Sequence, residues 1–598
     1  MNHRPRVAAR RAFLCLLLCS SLPLTYSAHA QKSSIADRHE QLRAVFDEVW
    51  EYELRSDPER ATETGDNRYN DKLDDDSPEF HKADVAEKQK FLDRVEAIAA
   101  DGLSAEDVLS RSLMVRHLRD EIEGARFKPW EMPVNQMGGL HLELPDLVTL
   151  TPFNTEKDYE NYVARLHQVP RAFEQATANM RQGMRDRLMP PKYLLEKVAS
   201  EAQQIADSNP ESSPFAAPIK KLPASISAAN QEKLRQQILG TIKNEVLPAY
   251  SRFAVFVRDT YAPQGRLDPG IWAVPGGDEL YRYEIRHLTT TDMTPDQIHE
   301  LGLKQIEEIN AEMVALAHKL GYKDVAALND AIKKDKKFYA TSGQQLLDLY
   351  QKYVDQMRPK LPTLFGRLPK SELIVIPMDP FRAPSAVPAD YTPGSLDGSR
   401  PGRINVNEWD PEHRLLLNVE PIAYHEGIPG HHLQLSIAHE LTGVPKFRRR
   451  GEYTAFVEGW ALYSERLAKD LGFYQDPYND YGRLENEMWR AIRLVVDTGV
   501  HSKHWSRDQM VDFFHRYTAM DEPNVQTEVD RYIAWPGQAL AYKLGQLEIL
   551  KLRGQAQQKL GSKFDIRAFH DEVLGNGALP LDVLDSQVNE WIAKQAHD

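Results

Sequence analysis

The chain of 598 residues has two cysteines, Cys15 and Cys19, and both fall within its first 30 residues. Beyond that segment there is no thiol, which excludes disulfide staples, a cysteine nucleophile and a cysteine-ligated metal site. Positive charge is also short: 74 Lys and Arg stand against 88 Asp and Glu, a net of −14. That balance argues against a nucleic-acid groove or an anionic membrane as the main partner. Past the N-terminus no apolar run approaches the roughly 20 residues a membrane-spanning helix needs. What is present is a mean hydropathy of −0.54 with 9 Trp, 24 Tyr and 20 Phe, enough aromatic bulk for a large core under a wet surface.

The N-terminus reads as a targeting segment. Arg4, Arg6, Arg10 and Arg11 precede the apolar run that starts at Phe13, and Ala28-His29-Ala30 is the small-x-small pattern of a signal-peptidase site. A signal peptide over 1–30, cleaved near Ala30, is expected, and with it a periplasmic or secreted protein. Cleavage removes four arginines and no acid, taking the net charge from −14 to −18. Arg10-Arg11-Ala12-Phe13-Leu14 also resembles a twin-arginine export signal.

The rest reads as mainly α. Apolar residues recur at helical spacing, as in Leu42-x-x-Val45-Phe46-x-x-Val49-Trp50, and further helices are expected near 155–185, 228–262, 294–318 and 343–357. Thr155 and Thr294 sit where N-caps belong. Leu373–Ile376 and Arg403–Asn407 are the best strands, a small β element close to the chemistry. The expected division is an N-terminal helical region over 31–205, a Pro/Ser-rich loop over 206–227 acting as linker or exposed excursion, and a helical catalytic region over 228–598. The stretch 378–403 is a second Pro/Gly-rich loop.

Three of the 20 histidines crowd into Tyr424-His425-Glu426-Gly427-Ile428-Pro429-Gly430-His431-His432-Leu433-Gln434. Zinc peptidases commonly carry H-E-x-x-H on one helix, so that imidazoles four residues apart share a face. Here Pro429 occupies the fourth position, and the next histidines stand six and seven residues on. On a regular helix those offsets separate the rings by roughly 9–10 Å along the axis, too far for one ion. Gly427, Pro429 and Gly430 are helix breakers, so a bulge that returns His425 and His431 to one metal is expected, with His432 as bystander or alternative. Glu458, embedded in the apolar run Tyr453–Glu465, is the expected third ligand, because a carboxylate among apolar neighbours wants a cation. Two His, one Glu and a water form a recurring catalytic zinc set, and one Zn2+ per chain is expected.

The H-E-x-x-P-G-H-H-x-Q and F-V-E-G-W-A-L-Y-x-E strings resemble the bacterial family catalogued as domain of unknown function 885. So do Asp497–His501, Pro536-Gly537-Gln538-Ala539-x-x-Tyr542, Gly270–Gly277 and Pro58-x-x-Ala61-Thr62-x-x-Gly65. The resemblance implies a large, mainly helical, zincin-like metallohydrolase and no particular substrate. Gly430-His431 and Val457-Glu458 also look like the Gly-His and Val-Glu pairs of the thimet-oligopeptidase-like and helical metallocarboxypeptidase families. That likeness implies His431 as second ligand and Glu458 as third, although two extra residues separate Glu426 from Gly430.

Glu426, adjacent to His425, is the expected general base. His501, Tyr532 and Tyr542 are candidate catalytic donors to an oxyanion, and spacing does not choose among them. Asp497 is a candidate to orient an imidazole, and Arg403, Arg490 and Arg493 to grip a substrate carboxylate. The expected function is an exported zinc metallopeptidase acting on peptide or amide substrates, without nucleic acid as partner. The alternatives are a zinc amidase or esterase on a non-peptide substrate, or a non-catalytic helical binding protein with a structural metal. His299-Glu300 and His439-Glu440 lack a histidine four residues later, and Gly394–Gly398 is one residue out of step for a serine-nucleophile elbow.

Overall fold

Helix starts are written locally, and the chain uses them. Thr155 and Thr294 each close a capping box, with Asp158 and Gln297 answering from the third helical position. The helices that follow are Glu156–Leu166 and Pro295–Lys319. The computed structural model describes residues 34–380, 382–450 and 453–597. The expected signal segment, with Cys15 and Cys19, lies outside them. Helix accounts for 71% of the structure and strand for 4%. Among the described residues no helix is long and apolar enough to cross a membrane.

Three strands form one sheet: β1 (Leu373–Pro377), β2 (Ala389–Thr392) and β3 (Gly402–Val406), in the order β1-β3-β2. β1 runs parallel to β3 with Leu373 opposite Gly402, and β2 runs antiparallel with Tyr391 opposite Ile404. β2 lies inside the stretch expected to be loop. Its pairing is with β3, ten or more residues on, so its own four residues carry little periodicity.

Packing divides the chain differently from the expected regions. Residues 42–118 share one apolar core with the 340s, the motif helices and the C-terminal helices, including Trp460 and Ile592. Residues 134–262 gather a core of their own. The N-terminal region 31–205 is therefore not one packing unit. Nor is 206–227 a linker: Phe215, Ala216 and Ile219 are buried in that second core, and the Tyr162 hydroxyl donates to the Phe215 carbonyl at 2.8 Å. The Pro and Ser residues there shape a short 3-10 turn, Pro214–Lys220, whose apolar residues point inward.

Candidate metal centre

The motif is two short helices and a break. The first, Val419–Glu426, is anchored by Glu420, whose carboxylate accepts from the Tyr424 hydroxyl (3.1 Å), the Tyr474 amide (3.1 Å) and Asn479 Nδ2 (2.7 Å). It stops at Gly427, and His431–His439 begins after Gly430. Between them the chain bulges: the Gly430 amide donates to the Tyr424 carbonyl at 3.0 Å, and the His432 amide to the Gly427 carbonyl at 3.1 Å. The Ile428–Pro429 peptide is cis. Gly430 is required by close approach, since a Cβ there would lie 1.9 Å from the His425 carbonyl oxygen. Trp460 Nε1 donates to the Pro429 carbonyl at 2.8 Å, fastening the bulge to the helix Thr454–Asp470.

The bulge brings the two imidazoles together, with ring centroids 4.9 Å apart and planes at 90°. Glu458 Oε2 stands 3.6 Å from His425 Nε2 and 3.4 Å from His431 Nε2. Ligating atoms of all three residues lie within 4.8 Å of one another. A tetrahedral metal ion with bonds of about 2.0–2.1 Å separates its ligand atoms by about 3.3–3.4 Å, near the two separations measured from Glu458. Glu458 Oε2 is buried yet has no hydrogen-bond partner among the described residues, as expected of an atom facing a cation.

His425 Nδ1 bonds Glu465 Oε1 at 2.8 Å, both residues being buried. That bond fixes the tautomer with Nδ1 protonated and leaves the Nε2 lone pair facing Glu458. The sequence reading missed this role for Glu465. The signal was available: Glu465 lies seven residues, two helical turns, after Glu458, so both carboxylates project from one face. Asp497, the expected orienting acid, is elsewhere, accepting from the Tyr281 hydroxyl at 2.6 Å and the Gly537 amide at 3.1 Å, its carboxyl pushed by burial up to about 7.

His432 is separated from His431 by its bonds. Its Nε2 donates to the Ser371 carbonyl (3.2 Å), so Nδ1 accepts from the Tyr391 hydroxyl of β2 (3.0 Å), and neither nitrogen is left for an ion. Glu426 has its carboxyl pushed by burial up to about 8, with Glu458 and Asp390 adding to the rise and His431 and Arg490 opposing it.

The three candidate donors part company. His501 is fully buried and spent: Nδ1 accepts from the Ile271 amide at 3.0 Å, and Nε2 donates to the Tyr532 carbonyl at 2.9 Å. Tyr532 is spent too, donating to Glu528 while accepting from Arg493 Nε and Trp489 Nε1, both at 2.9 Å. The expectation of a catalytic donor role for His501 and Tyr532 is corrected on this ground, since each hydrogen is committed to the fold. Tyr542 remains. Its ring lies 6.4 Å from that of His425 at 17°, and its hydroxyl accepts from Arg531 Nη2 at 3.0 Å, which leaves its own hydrogen for another acceptor. Tyr542 reaches this place because its helix, Ala541–Leu560, crosses Thr454–Asp470 backbone to backbone at Gly459 and Gly545.

The sequence matches the family described as "Bacterial protein of unknown function (DUF885)" over residues 58–588. The chain belongs to that family. No curated protein matches. Among solved structures, the "putative lipoprotein from Colwellia psychrerythraea" is similar at 30% identity and a TM-score of 0.89, over 93% of this chain and 100% of that one. A "putative lipoprotein of unknown function from Shewanella oneidensis" shares the fold at 18% identity and a TM-score of 0.68, over 93% and 99%.

Proposed function

We propose that the protein is an exported zinc-dependent hydrolase of peptide or amide bonds. The observation that carries this reading is the meeting of His425 Nε2, His431 Nε2 and Glu458 Oε2 at separations of 3.4 and 3.6 Å, next in sequence to the half-buried Glu426. Three ligands from side chains leave a coordination position open, which a closed four-ligand structural site does not. Zinc bound there would polarise a carbonyl oxygen and acidify a water. Glu426 takes the proton from the attacking water and returns it to the leaving nitrogen, help typically worth about 10²- to 10⁴-fold. The Tyr542 hydroxyl, held by Arg531, donates to the oxygen that gains charge. Glu465 holds His425 in the tautomer that offers Nε2.

Export is supported by the N-terminal arginines, apolar run and Ala28-His29-Ala30, and by the description of both similar structures as lipoproteins. The test is metal analysis of the purified protein together with hydrolysis of a peptide library with and without chelator. One zinc per chain, chelator-sensitive cleavage and a zinc-loaded but inactive Glu426→Gln variant are expected. A metal-free protein, or a Gln variant that retains most of the activity, overturns the reading.

A further inference from the structure

Arg490 and Arg493, on the helix Pro477–Ser502, are 5% and 1% exposed. Arg531, on Glu522–Ala534, closes the group with its side chain 12% exposed. Two carboxylates are in reach. Glu528 receives Arg493 Nη2 at 3.1 Å and Arg531 Nη1 at 3.7 Å, as well as the Tyr532 hydroxyl. Glu465 stands 3.9 Å from Arg490 Nη2, but the same Oε1 already serves His425. The hydrogen bonds of Arg490 go to neutral oxygens of Asn486, at 3.0 Å to the side chain and 3.3 Å to the backbone. Glu487, one turn earlier, is consumed by Lys543, Arg483 and Arg466. Arg490 Nε, Arg493 Nη1 and Arg531 Nε are buried with no partner among the described residues.

Three guanidiniums therefore share two carboxylates, and Glu465 also accepts from His425 through the oxygen nearest Arg490. Buried charge of one sign calls for a counter-charge, and the flat fork of a guanidinium suits a carboxylate. The cluster lies beside the metal centre: Arg493 Cζ is 4.3 Å from the centroid of the Tyr542 ring, the ring that faces His425. A small cavity of about 80 Å³ is lined by Asn486, Trp489 and Glu528, the partners of these arginines, and by Ile422 of the motif helix; the arginines themselves stand behind that lining. Trp489 lies under both Arg490 and Arg493, at 4.3 and 4.5 Å. An extended peptide advances at most about 3.3–3.6 Å per residue. Arg490 Nη2 and His425 Nδ1 meet the same Glu465 oxygen, at 3.9 and 2.8 Å, so this guanidinium stands within about two extended residues of the His-Glu set.

We propose that Arg490, backed by Arg493 and Arg531, binds the free C-terminal carboxylate of the substrate, so that the enzyme removes one or two residues from peptide C-termini. This rests on the metal centre being a peptide hydrolase. Residue placement decides among the arginines anticipated from sequence: Arg403 lies on β3, where Asp379 and Asp390 are the acids that act on it, so it does not belong to this cluster.

The test compares an N-acylated peptide ending in a free acid with the same peptide ending in an amide, on the zinc-loaded protein. A preference for the acid of roughly 10- to 150-fold in kcat/KM is expected from a charge-assisted hydrogen bond. In Arg490→Met, and separately in Arg531→Met, that ratio falls to within a few-fold of one, with zinc content and circular dichroism unchanged. Equal use of acid and amide by the wild type, or an undiminished ratio in both variants, overturns the proposal. Calorimetric binding of both peptides to zinc-loaded Glu426→Gln protein separates it from the hydrolase reading. Tighter binding of the acid without any wild-type turnover keeps the subsite and removes the hydrolase, while equal binding removes the subsite.

Discussion

Gly430→Ala tests the bulge on which the proposed metal centre depends. The new Cβ would lie 1.9 Å from the His425 carbonyl oxygen and 2.4 Å from that of Tyr424, where ordinary contact begins at 3.4 Å. Both obstacles are backbone, so no side chain can swing away, and one strand of the bulge must retreat by about 1.5 Å. Metal–ligand bonds tolerate about 0.2 Å. A shift several times larger, applied between the residues that carry the two imidazoles, separates His425 from His431. Zinc affinity is therefore expected to fall by more than the 10- to 100-fold that loss of an outer partner costs. The assay is chelator competition read by zinc stoichiometry, with Gly554→Ala as control. Gly554 is an exposed helix residue with nothing within 4 Å of an added Cβ, and the change should stabilise by roughly 0.5–1 kcal/mol. A Gly430→Ala protein that binds zinc as tightly as the wild type would refute the argument.

Glu465→Gln keeps the three ligating atoms but removes the negative charge that faces His425 Nδ1, and should weaken zinc about 10- to 100-fold by the same competition assay. Wild-type affinity would show that the tautomer needs no carboxylate. Tyr542→Phe should lower kcat with little change in KM or zinc content, whereas Tyr532→Phe should cost about 1–3 kcal/mol of stability in urea, because it strands Arg493, Trp489 and Glu528. The reverse pattern would move the donor role to Tyr532. Burial pushes His501 down to about 3, Arg266 adding and the Tyr532 carbonyl opposing. The folded protein therefore binds fewer protons than the unfolded chain between that value and about 6.5, and stability falls as pH drops through this window. His501→Gln should make the acid loss shallower by about 1.4 kcal/mol per pH unit between pH 6 and 4. Unchanged urea midpoints across that range would mean that His501 is charged in the fold.

Helix positions were legible because they depend on neighbours in sequence. Thr155 and Thr294 cap where they stand, 343–357 forms its helix as periodicity predicts, and β1 and β3 lie on the two best apolar runs. The break at Gly427–Gly430 was legible for the same reason, since its glycines and proline act on their own backbone. β2 and the buried turn at 214–220 were not, because their partners, Ile404 in one case and Tyr162 in the other, lie far along the chain. The role of His501 was misread for a similar reason: nothing near it in sequence reveals that the Ile271 amide and the Tyr532 carbonyl hold its two nitrogens.

By itself the sequence determined the residue types of the His-Glu cluster, the chain break that frees them from helical spacing, and a mainly helical frame. All three follow from side-chain chemistry and short-range backbone preference. Only the tertiary structure decided that His431 and not His432 faces Glu458, that Glu465 holds His425, and that Tyr542 alone of the three donors keeps a free hydrogen. Those choices depend on which helices cross, above all Thr454–Asp470 over Ala541–Leu560 at Gly459 and Gly545. A crossing is set by the packing of distant surfaces, and no local stretch of sequence carries it.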